Sequence, residues 1–299
     1  MISYLEANAR QRIHALLDAG SFEEFLPPSL QIVSPHLAQL DTPASFDDGI
    51  VIGRGTLQGR TVLAAAQEGG FMGGAVGEVH GAKLVGLLKR AVSEGVDGVI
   101  LLLETGGVRL HEANAGLIAV SEVMRAVLDT RAANIPVIVL VGGANGCFGG
   151  MGIVACCAND ILMSEEGRLA MSGPEVIETT HGVEEFDSRD RALVWRTTGG
   201  KHRYLLGDCS AVLPDDIAAF RQAAFDTLMR YQQNSAQLTL EDLESEHALL
   251  NRRLQDFGNY SEPMDIWSRL GVANPEILPM LEAEAFMQKV AGKRAGEQR

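Results

Sequence analysis

Residues 136–158 read PVIVLVGGANGCFGGMGIVACCA. The run 136–141 is apolar and rich in β-branched residues, which predicts a strand buried on both faces. A glycine-rich loop, 142–150, follows it and leads into the apolar segment 153–158, which is predicted to form a short helix. A strand, a glycine-rich loop and a helix in this order are typical of an α/β protein.

Two earlier segments repeat this plan. In the first, the strand 61–66 and the glycine-rich loop 69–74 precede a helix that carries Leu84, Leu88 and Val92 at helical spacing. In the second, the strand 99–103 turns at Thr105-Gly106-Gly107 and is predicted to continue as a long helix through residues 110–127. Apolar strands that alternate with helices predict largely parallel sheet, so the predicted fold class is α/β. Two more strands are expected near Ile161 and Leu169.

The two ends of the chain are predicted to be helical. Residues 8–25 have an amphipathic pattern that Gly20 and the pair Pro27-Pro28 would end, so this segment is predicted to be an N-terminal lid or docking helix. After Pro214 the pattern is wholly helical and more charged. We therefore expect a main domain over 1–213 and a C-terminal helical extension over 214–299, which joins the same compact unit or a subunit interface.

Composition excludes several classes of function. A formal net charge of −14 repels phosphate backbones, so nucleic acid is not an expected partner. No apolar run approaches the roughly 20 residues that span a bilayer, and the first residues lack the apolar block of a signal peptide. A cytoplasmic protein without membrane contact is expected. The four cysteines form no CxxC pair, which argues against a metal site, and Cys156 and Cys157 are expected to be small core residues.

Two glycine pairs are predicted to stand at helix starts, Gly106-Gly107 and Gly149-Gly150. Backbone N–H groups at such a position have no partner within the helix and favour a developing negative charge. An acyl oxyanion needs donors of this kind at about 2.7–3.1 Å. Glycine pairs before helices also serve close strand-to-helix packing, and the pattern alone leaves both roles open.

The charged candidates have structural and functional interpretations. Arg109 and Glu112 stand three residues apart and are expected to form a surface ion pair. Glu104, at a strand end, could be a cap or an active-site acid. Three histidines show no metal-ligand spacing and are expected to be polar surface or network residues: His80, His111 and His181. His181 has the best claim to a role, because it follows Gly173-Pro174 in a polar loop suited to substrate binding.

Ordered motifs then indicate a family. They are ARQRI (9–13), LLDAGSFEE (16–24), GGAVGEVHGAK (73–83), TGGVRLHE (105–112) and SGPEVI (172–177). Over residues 9–213 the chain resembles acyl-CoA carboxyltransferase subunits, and is most similar to the β subunits of biotin-independent malonate decarboxylases. The resemblance implies a crotonase-like fold, which is a spiral of ββα units.

The resemblance also implies a site. Gly149 and Gly150 match the glycine pair that supplies an oxyanion hole in that family, and with Gly106 and Gly107 they are the candidate catalytic residues. The candidate substrate-binding residues are Gly73, Gly74, Ser172, Gly173 and His181. No metal is expected at this site.

The implied reaction is the decarboxylation of a malonyl thioester to an acetyl thioester. The thioester would be carried on an acyl-carrier protein through a CoA-like phosphopantetheine arm, without biotin. The implied partners are a homologous γ subunit, the acyl-carrier protein and an acyltransferase subunit. The chain departs from biotin-dependent relatives in extra residues around 145–148, where Phe148 could obstruct biotin or point into the core, and in the lack of a cysteine-rich zinc ribbon. The alternatives are a β subunit of a biotin-dependent carboxyltransferase and a non-catalytic scaffold of the same fold.

Overall fold

A computed structural model describes residues 2–41 and 49–296 of the chain. It begins with helix α1, Ala9–Leu16, where the Asn8 side chain accepts from the N–H of Gln11 and the Gln11 side chain accepts from the N–H of Asn8. This capping box sets the start of the helix. The prediction of one helix over 8–25 is wrong in its second half, because Leu17 is extended and residues 23–25 pair with a strand.

In the part of the chain that the structure describes, seven strands form one sheet in chain order. They are β1 Glu23–Phe25, β2 Ile50–Leu57, β3 Arg60–Gln67, β4 Gly98–Leu102, β5 Val137–Val141, β6 Asp160–Ser164 and β7 Ala211–Leu213. The strands β1 to β3 pair antiparallel, and β3 to β7 pair parallel. The largely parallel sheet predicted from the apolar runs is therefore confirmed.

Helices cover both faces of this sheet. After α1 they are α2 Glu78–Glu94, α3 Ala115–Ala132, α4 Gly150–Cys156, α5 Pro174–His181, α6 Arg191–Thr198, α7 Gly200–Leu206, α8 Ile217–Gln233, α9 Leu240–Phe257, α10 Pro263–Arg269 and α11 Ala283–Lys289. Alternate residues of β4 point to opposite faces. Leu101 packs in the core under α2, α3 and α4, whereas Ile100 packs in the core under α1 and α8.

A second, smaller layer lies beyond the carboxyl ends of the strands. It consists of single-residue parallel bridges that join Thr105 to Cys147, Cys147 to Leu169, and Val76 to Val108. The strand expected near Leu169 is only such a bridge, whereas the one near Ile161 is β6. Two layers joined by successive β-to-α turns agree with the crotonase-like spiral, and the α/β class is confirmed.

Most of the helical extension packs on the sheet domain. Helix α8 contacts α1, β5 and β6, and Trp267 of α10 donates from Nε1 to His202 Nδ1 at 3.1 Å. No residue of α9 is buried. The division at residue 213 stays a prediction. No helix within the described ranges is long and apolar enough to cross a membrane.

Candidate active site

Three loops meet at the carboxyl edge of the parallel strands, as expected for an α/β sheet. They follow β3, β4 and β5. The N–H of Gly106 donates to Gly73 O at 2.9 Å, and the N–H of Thr105 donates to Gly146 O at 2.8 Å. The N–H of Phe148 donates back to Thr105 O at 2.9 Å. The backbone therefore fixes the three glycine-rich loops relative to one another.

Gly149 and Gly150 stand at the start of α4, as the sequence predicts. Gly149 is the N-cap, with φ of 66°, and its N–H donates to Met171 O at 2.9 Å. Gly150 and Met151 occupy the first turn, where an N–H has no acceptor within the helix. Across residues 2–41 and 49–296 the structure gives these two N–H groups no other acceptor. The available donors are thus those of Gly150 and Met151. Sequence reasoning missed Met151, although its place just after the glycine pair could have indicated it.

Gly106 and Gly107 do not stand at a helix start, so that prediction is wrong. Helix α3 begins only at Ala115, and Leu110, expected on its apolar face, is 86% exposed. The N–H of Gly106 is engaged by Gly73, and the N–H of Gly107 donates to Thr105 Oγ1 at 3.1 Å. A Cβ added at Gly149 would lie 3.3 Å from Gly107 Cα. The close approach of the second and third loops therefore depends on glycine at position 149, whereas a Cβ added at Gly107 would meet no atom within 4 Å.

The candidate substrate-binding glycines of the first loop differ in their surroundings. Gly73 is exposed, has φ of 64°, and an added Cβ would meet no atom within 4 Å. At Gly74 the φ is 70°, and an added Cβ would lie 1.9 Å from Glu104 O. The backbone of Gly74 is thus packed against the end of β4, whereas Gly73 borders open space.

Ser172 and Gly173 lie next to the third loop. Met171 accepts from Gly149, and a Cβ added at Gly173, the N-cap of α5, would lie 4.0 Å from the Phe148 ring. His181 is the last residue of α5, about 10 Å along the helix from its start at 1.5 Å per residue. Its Nδ1 lies 3.8 Å from Glu185 Oε1. The structure brings Ser172 and Gly173 to the loops and leaves His181 at the far end of α5.

A buried ion pair holds the third loop from behind. Arg12 of α1 and Glu104 at the end of β4 are both almost fully buried and form a salt bridge. Glu104 Oε1 also accepts from the N–H of Asn145 at 3.1 Å, and Arg12 Nε donates to Tyr4 O at 2.8 Å. Of the two roles that the sequence left open for Glu104, the structure favours a structural one. The sequence alone gave no reason to select Arg12.

A second buried pair holds the first loop against the second. Arg109 Nη1 lies 3.4 Å from Glu112 Oε1, and Arg109 Nε donates to Ala75 O at 3.0 Å. Glu112 Oε2 accepts from the N–H of Glu78, the first residue of α2, at 2.6 Å. The expectation of a surface pair is wrong, because both side chains lie between the two loops and are covered by them.

Phe148 points into the core and is 3% exposed. The guanidinium of Arg168 lies 5.6 Å from the centre of its ring and 4.6 Å from that of Trp195. Burial lowers the pKa of Arg168. Phe148 therefore does not obstruct the space in front of Gly149 and Gly150. Sequence reasoning did not identify Arg168 or Trp195.

A cavity of about 450 Å³ opens between the N-terminal ends of α2 and α3. Its walls include Ile118 and three carboxylates, Glu78, Glu112 and Glu122. Burial alone would raise the pKa of Glu78, but hydrogen bonds from Ser34 and His36 hold it below its usual value. Three acidic side chains in its walls disfavour a phosphate group in this cavity.

The cysteines and histidines differ in part from expectation. Cys147 and Cys209 are buried, but Cys156 is exposed and is not a core residue. His80 is buried, with Nε2 3.1 Å from Gln67 Nε2, which agrees with a network role. Within the described part of the chain no group of three or more His, Cys, Asp or Glu side chains could hold a metal ion.

Comparison of the sequence with known proteins finds relatives over nearly all of the chain. The family profile of the carboxyl transferase domain matches residues 6–222. The malonyl-S-ACP:biotin-protein carboxyltransferase MADC of Malonomonas rubra is 40% identical over 311 aligned positions, which cover 98% of this chain and 97% of that protein. The carboxyl transferase β subunit of acetyl-coenzyme A carboxylase from Fusobacterium nucleatum is 31% identical over 59% of this chain and 60% of its own length.

Solved structures with the same fold include two of a Pseudomonas malonate decarboxylase. The hetero-tetramer in complex with malonate contains a chain that is 41% identical, with a TM-score of 0.77, covering 88% of this chain and 94% of that one. The MdcD-MdcE hetero-dimer gives 38% identity and a TM-score of 0.66, covering 85% of this chain and 97% of that one.

Proposed function

Because the chain belongs to the carboxyl transferase family, we propose that it is the β subunit of a malonate decarboxylase. Its substrate is a malonyl thioester carried on an acyl-carrier protein through a phosphopantetheine arm. The bond between the carboxylate carbon and the α-carbon breaks, CO₂ leaves, and the electron pair moves to the thioester oxygen as an enolate. A proton taken up at the α-carbon then gives the acetyl thioester.

Two relatives that match most of the chain support a malonyl substrate. The name of the Malonomonas rubra protein specifies malonyl-S-ACP, and the Pseudomonas complex contains malonate. These proteins share 40% and 41% identity with the chain over nearly their full lengths. Because fold alone does not establish function, the proposal also depends on the geometry of the site.

The proposal depends most on the N–H groups of Gly150 and Met151, which have no hydrogen-bond acceptor among the described residues. They directly follow Gly149, where the third glycine-rich loop approaches Gly107 of the second. Donors that bind the thioester oxygen more strongly as charge develops on it lower the barrier to CO₂ loss. No strong base is required, since the leaving carboxylate supplies the electron pair.

The proposal includes a homologous second subunit that closes the site. Both Pseudomonas structures are hetero-oligomers, and a γ subunit of the same family would close the site from the side opposite α4. An acyltransferase subunit would load malonyl onto the carrier protein. We expect the isolated chain to be inactive or very weak for this reason. An obligate pairing of this kind should bury more than about 2,000 Å².

A second candidate is transfer of the carboxyl group to a biotin-bearing protein. The Malonomonas rubra relative favours it, because its name specifies a biotin protein as acceptor and it aligns over 98% of this chain. The enolate and its donors would be the same in both reactions. The sequence suggested that Phe148 could obstruct biotin. Phe148 is buried, so this argument against biotin no longer applies.

One experiment separates these functions. The chain is purified together with the subunits that co-purify with it and is given a malonyl thioester on the carrier, with and without avidin. Decarboxylation predicts CO₂ release that avidin leaves unchanged. Acetyl thioester that forms only with an added biotin-bearing protein, while the carboxyl group is held on biotin and not released as CO₂, and that no longer forms with avidin, would replace the decarboxylase by the transferase. An assembled complex that neither cleaves nor binds the thioester would refute both and leave a scaffold.

A further inference from the structure

Helix α9 carries an apolar strip that the other residues of the described ranges leave largely exposed. Leu240 and Leu254 are 71% and 72% exposed, and Leu243 and Leu250 are about half exposed. These leucines and His247 recur at intervals of three and four residues, and Phe257, which is half-buried against the protein's own core, continues the spacing to the end of the helix. Alternating spacings of three and four are the a and d positions of a coiled-coil seam.

The helix is held to the body by another face, so the strip stays turned outward. Arg253 Nη1 donates to Asp208 Oδ1 at 2.6 Å. Leu249 lies against the C-terminal segment, where a Cβ added at Gly296 would lie 3.0 Å from Leu249 Cδ1. Neither Arg253 nor Leu249 belongs to the strip, because both fall between its positions in the three-four repeat.

The strip is complementary to itself when two helices run antiparallel. Leu240 then faces Phe257 of a second copy, Leu243 faces its Leu254, and His247 faces its Leu250. Every a residue meets a d residue in this register, and the layers repeat symmetrically about the centre of the helix. A twofold pairing of identical surfaces is the commonest way in which homo-oligomers form.

The charges along α9 favour the same orientation. The N-terminal half carries four carboxylates, Glu241, Asp242, Glu244 and Glu246, whereas the C-terminal half carries two arginines, Arg252 and Arg253, and one carboxylate, Asp256. Arg253 already pairs with Asp208, so Arg252 is the cation most available to a second copy. An antiparallel pair sets each acidic half against the other copy's basic half. A parallel pair would place the carboxylates of both copies side by side, which is unfavourable.

We infer that α9 is a docking surface for a second copy of this chain, joined through an antiparallel α9–α9 seam. The inference does not depend on the reaction that the chain catalyses. The seam is about 27 Å long, at 1.5 Å per residue over the 18 residues of the helix. The surface area buried by one seam of this length lies at the small end for specific interfaces, which is about 1,200 Å². Dimerisation should therefore depend on concentration.

The test uses site-specific cross-linking of the full chain, purified alone and with its co-purifying subunits. Two variants are made, Leu243→Cys and Leu254→Cys, both with Cys156 and Cys157 changed to alanine so that native thiols do not react. In the antiparallel seam, residue 243 faces residue 254 of the other copy. Two copies of residue 243 are 11 positions apart along the axis, or about 16 Å. A bifunctional maleimide shorter than this offset should therefore join a mixture of the two variants and join neither alone.

A matched control places the cysteine at Leu117 of α3, another exposed leucine. The cross-linking yield of this control measures random collision. The yield from the mixture of the Leu243→Cys and Leu254→Cys variants should exceed it several-fold. Leu254→Glu should also lower the mass measured by light scattering at a concentration where Leu117→Glu does not. Cross-linking of Leu243→Cys to itself, cross-linking to a different subunit, or a chain that stays monomeric up to its solubility limit would each overturn the inference.

Discussion

The N–H of Gly150 can be removed without removing the residue. Gly150 is the first residue of α4, a position at which proline is tolerated because its N–H has no helical acceptor. A side chain there has little room, since an added Cβ would lie 2.5 Å from Val120 Cγ1 and 3.0 Å from Val120 Cγ2. Both substitutions at Gly150 are therefore made together with Val120→Ala, which removes the two methyl groups.

The comparison is between Gly150→Pro and Gly150→Ala in the Val120→Ala background. Without that background, overpacking would cost about 1–3 kcal/mol and would mix structural and chemical effects. The alanine variant keeps the N–H and should retain most of the activity. The proline variant loses one oxyanion donor, which typically lowers kcat by about 10²–10³, or about 2.7–4 kcal/mol. Met151 keeps its donor, so we expect the lower end of this range.

The assay is CO₂ release from a saturating malonyl thioester by the assembled complex. KM for the carrier should change little, because the lost donor acts on charge that develops in the transition state. Thermal unfolding of the two variants should agree within a few degrees, which confirms that the chemistry and not the fold is compared. Equal turnover of the proline and alanine variants would show that the Gly150 N–H takes no part. A large loss of turnover in both variants would show that glycine is needed at position 150 for packing against α3.

Three further outcomes follow from buried contacts. Gly74→Ala forces a Cβ to within 1.9 Å of Glu104 O and should destabilise the chain strongly in urea unfolding. Gly73→Ala meets open space and should lower the free energy of unfolding by only about 1–2 kcal/mol, because its φ is left-handed. Equal losses in the two variants would contradict this. Arg12→Met should cost about 3–5 kcal/mol by leaving Glu104 buried and unpaired, and Glu104→Gln added to it should recover part of that loss. Burial, and secondarily Arg203, lowers the pKa of His202 to about 3. The free energy of unfolding should therefore fall as the pH drops below about 6.5, by up to about 1.4 kcal/mol per pH unit. A His202→Asn variant whose stability falls with the same slope would refute this.

Strands and the first helix after a glycine-rich loop were predictable because local pattern determines them. The run 137–141 is apolar at every position and became a strand buried on both faces. Helix α2 followed its glycine-rich loop as expected. In each case the neighbours in sequence supply the burial and the turn chemistry, so a single sequence carries the information.

The start of α3 was not predictable, because contacts distant in sequence decide it. The N–H of Arg109 donates to Val76 O at 3.0 Å, and the buried guanidinium of Arg109 holds Ala75 and Glu112. These bonds keep residues 105–109 out of a helix, and residues 110–112 form only a short 3-10 helix before α3 begins at Ala115. The pairing of Arg12 with Glu104 joins residues 92 positions apart, and no local pattern indicates such a pair.

On the proposed function, the choice between releasing CO₂ and transferring it should be set outside the third glycine-rich loop. Phe148, the one bulky residue that distinguishes this loop, lies beneath Arg168 and faces the core. In the proposed reaction, the donors at Gly150 and Met151 would stabilise the same enolate whether the carboxyl group is released or transferred. Relatives at 40% and 41% identity carry names that specify opposite fates for it. On the proposed function, selection therefore falls to the surface that meets the enolate from the other side, which a homologous partner would supply. Exchanging the partner between two such systems should change avidin sensitivity, while exchanging residues 145–148 of this chain should leave it unchanged.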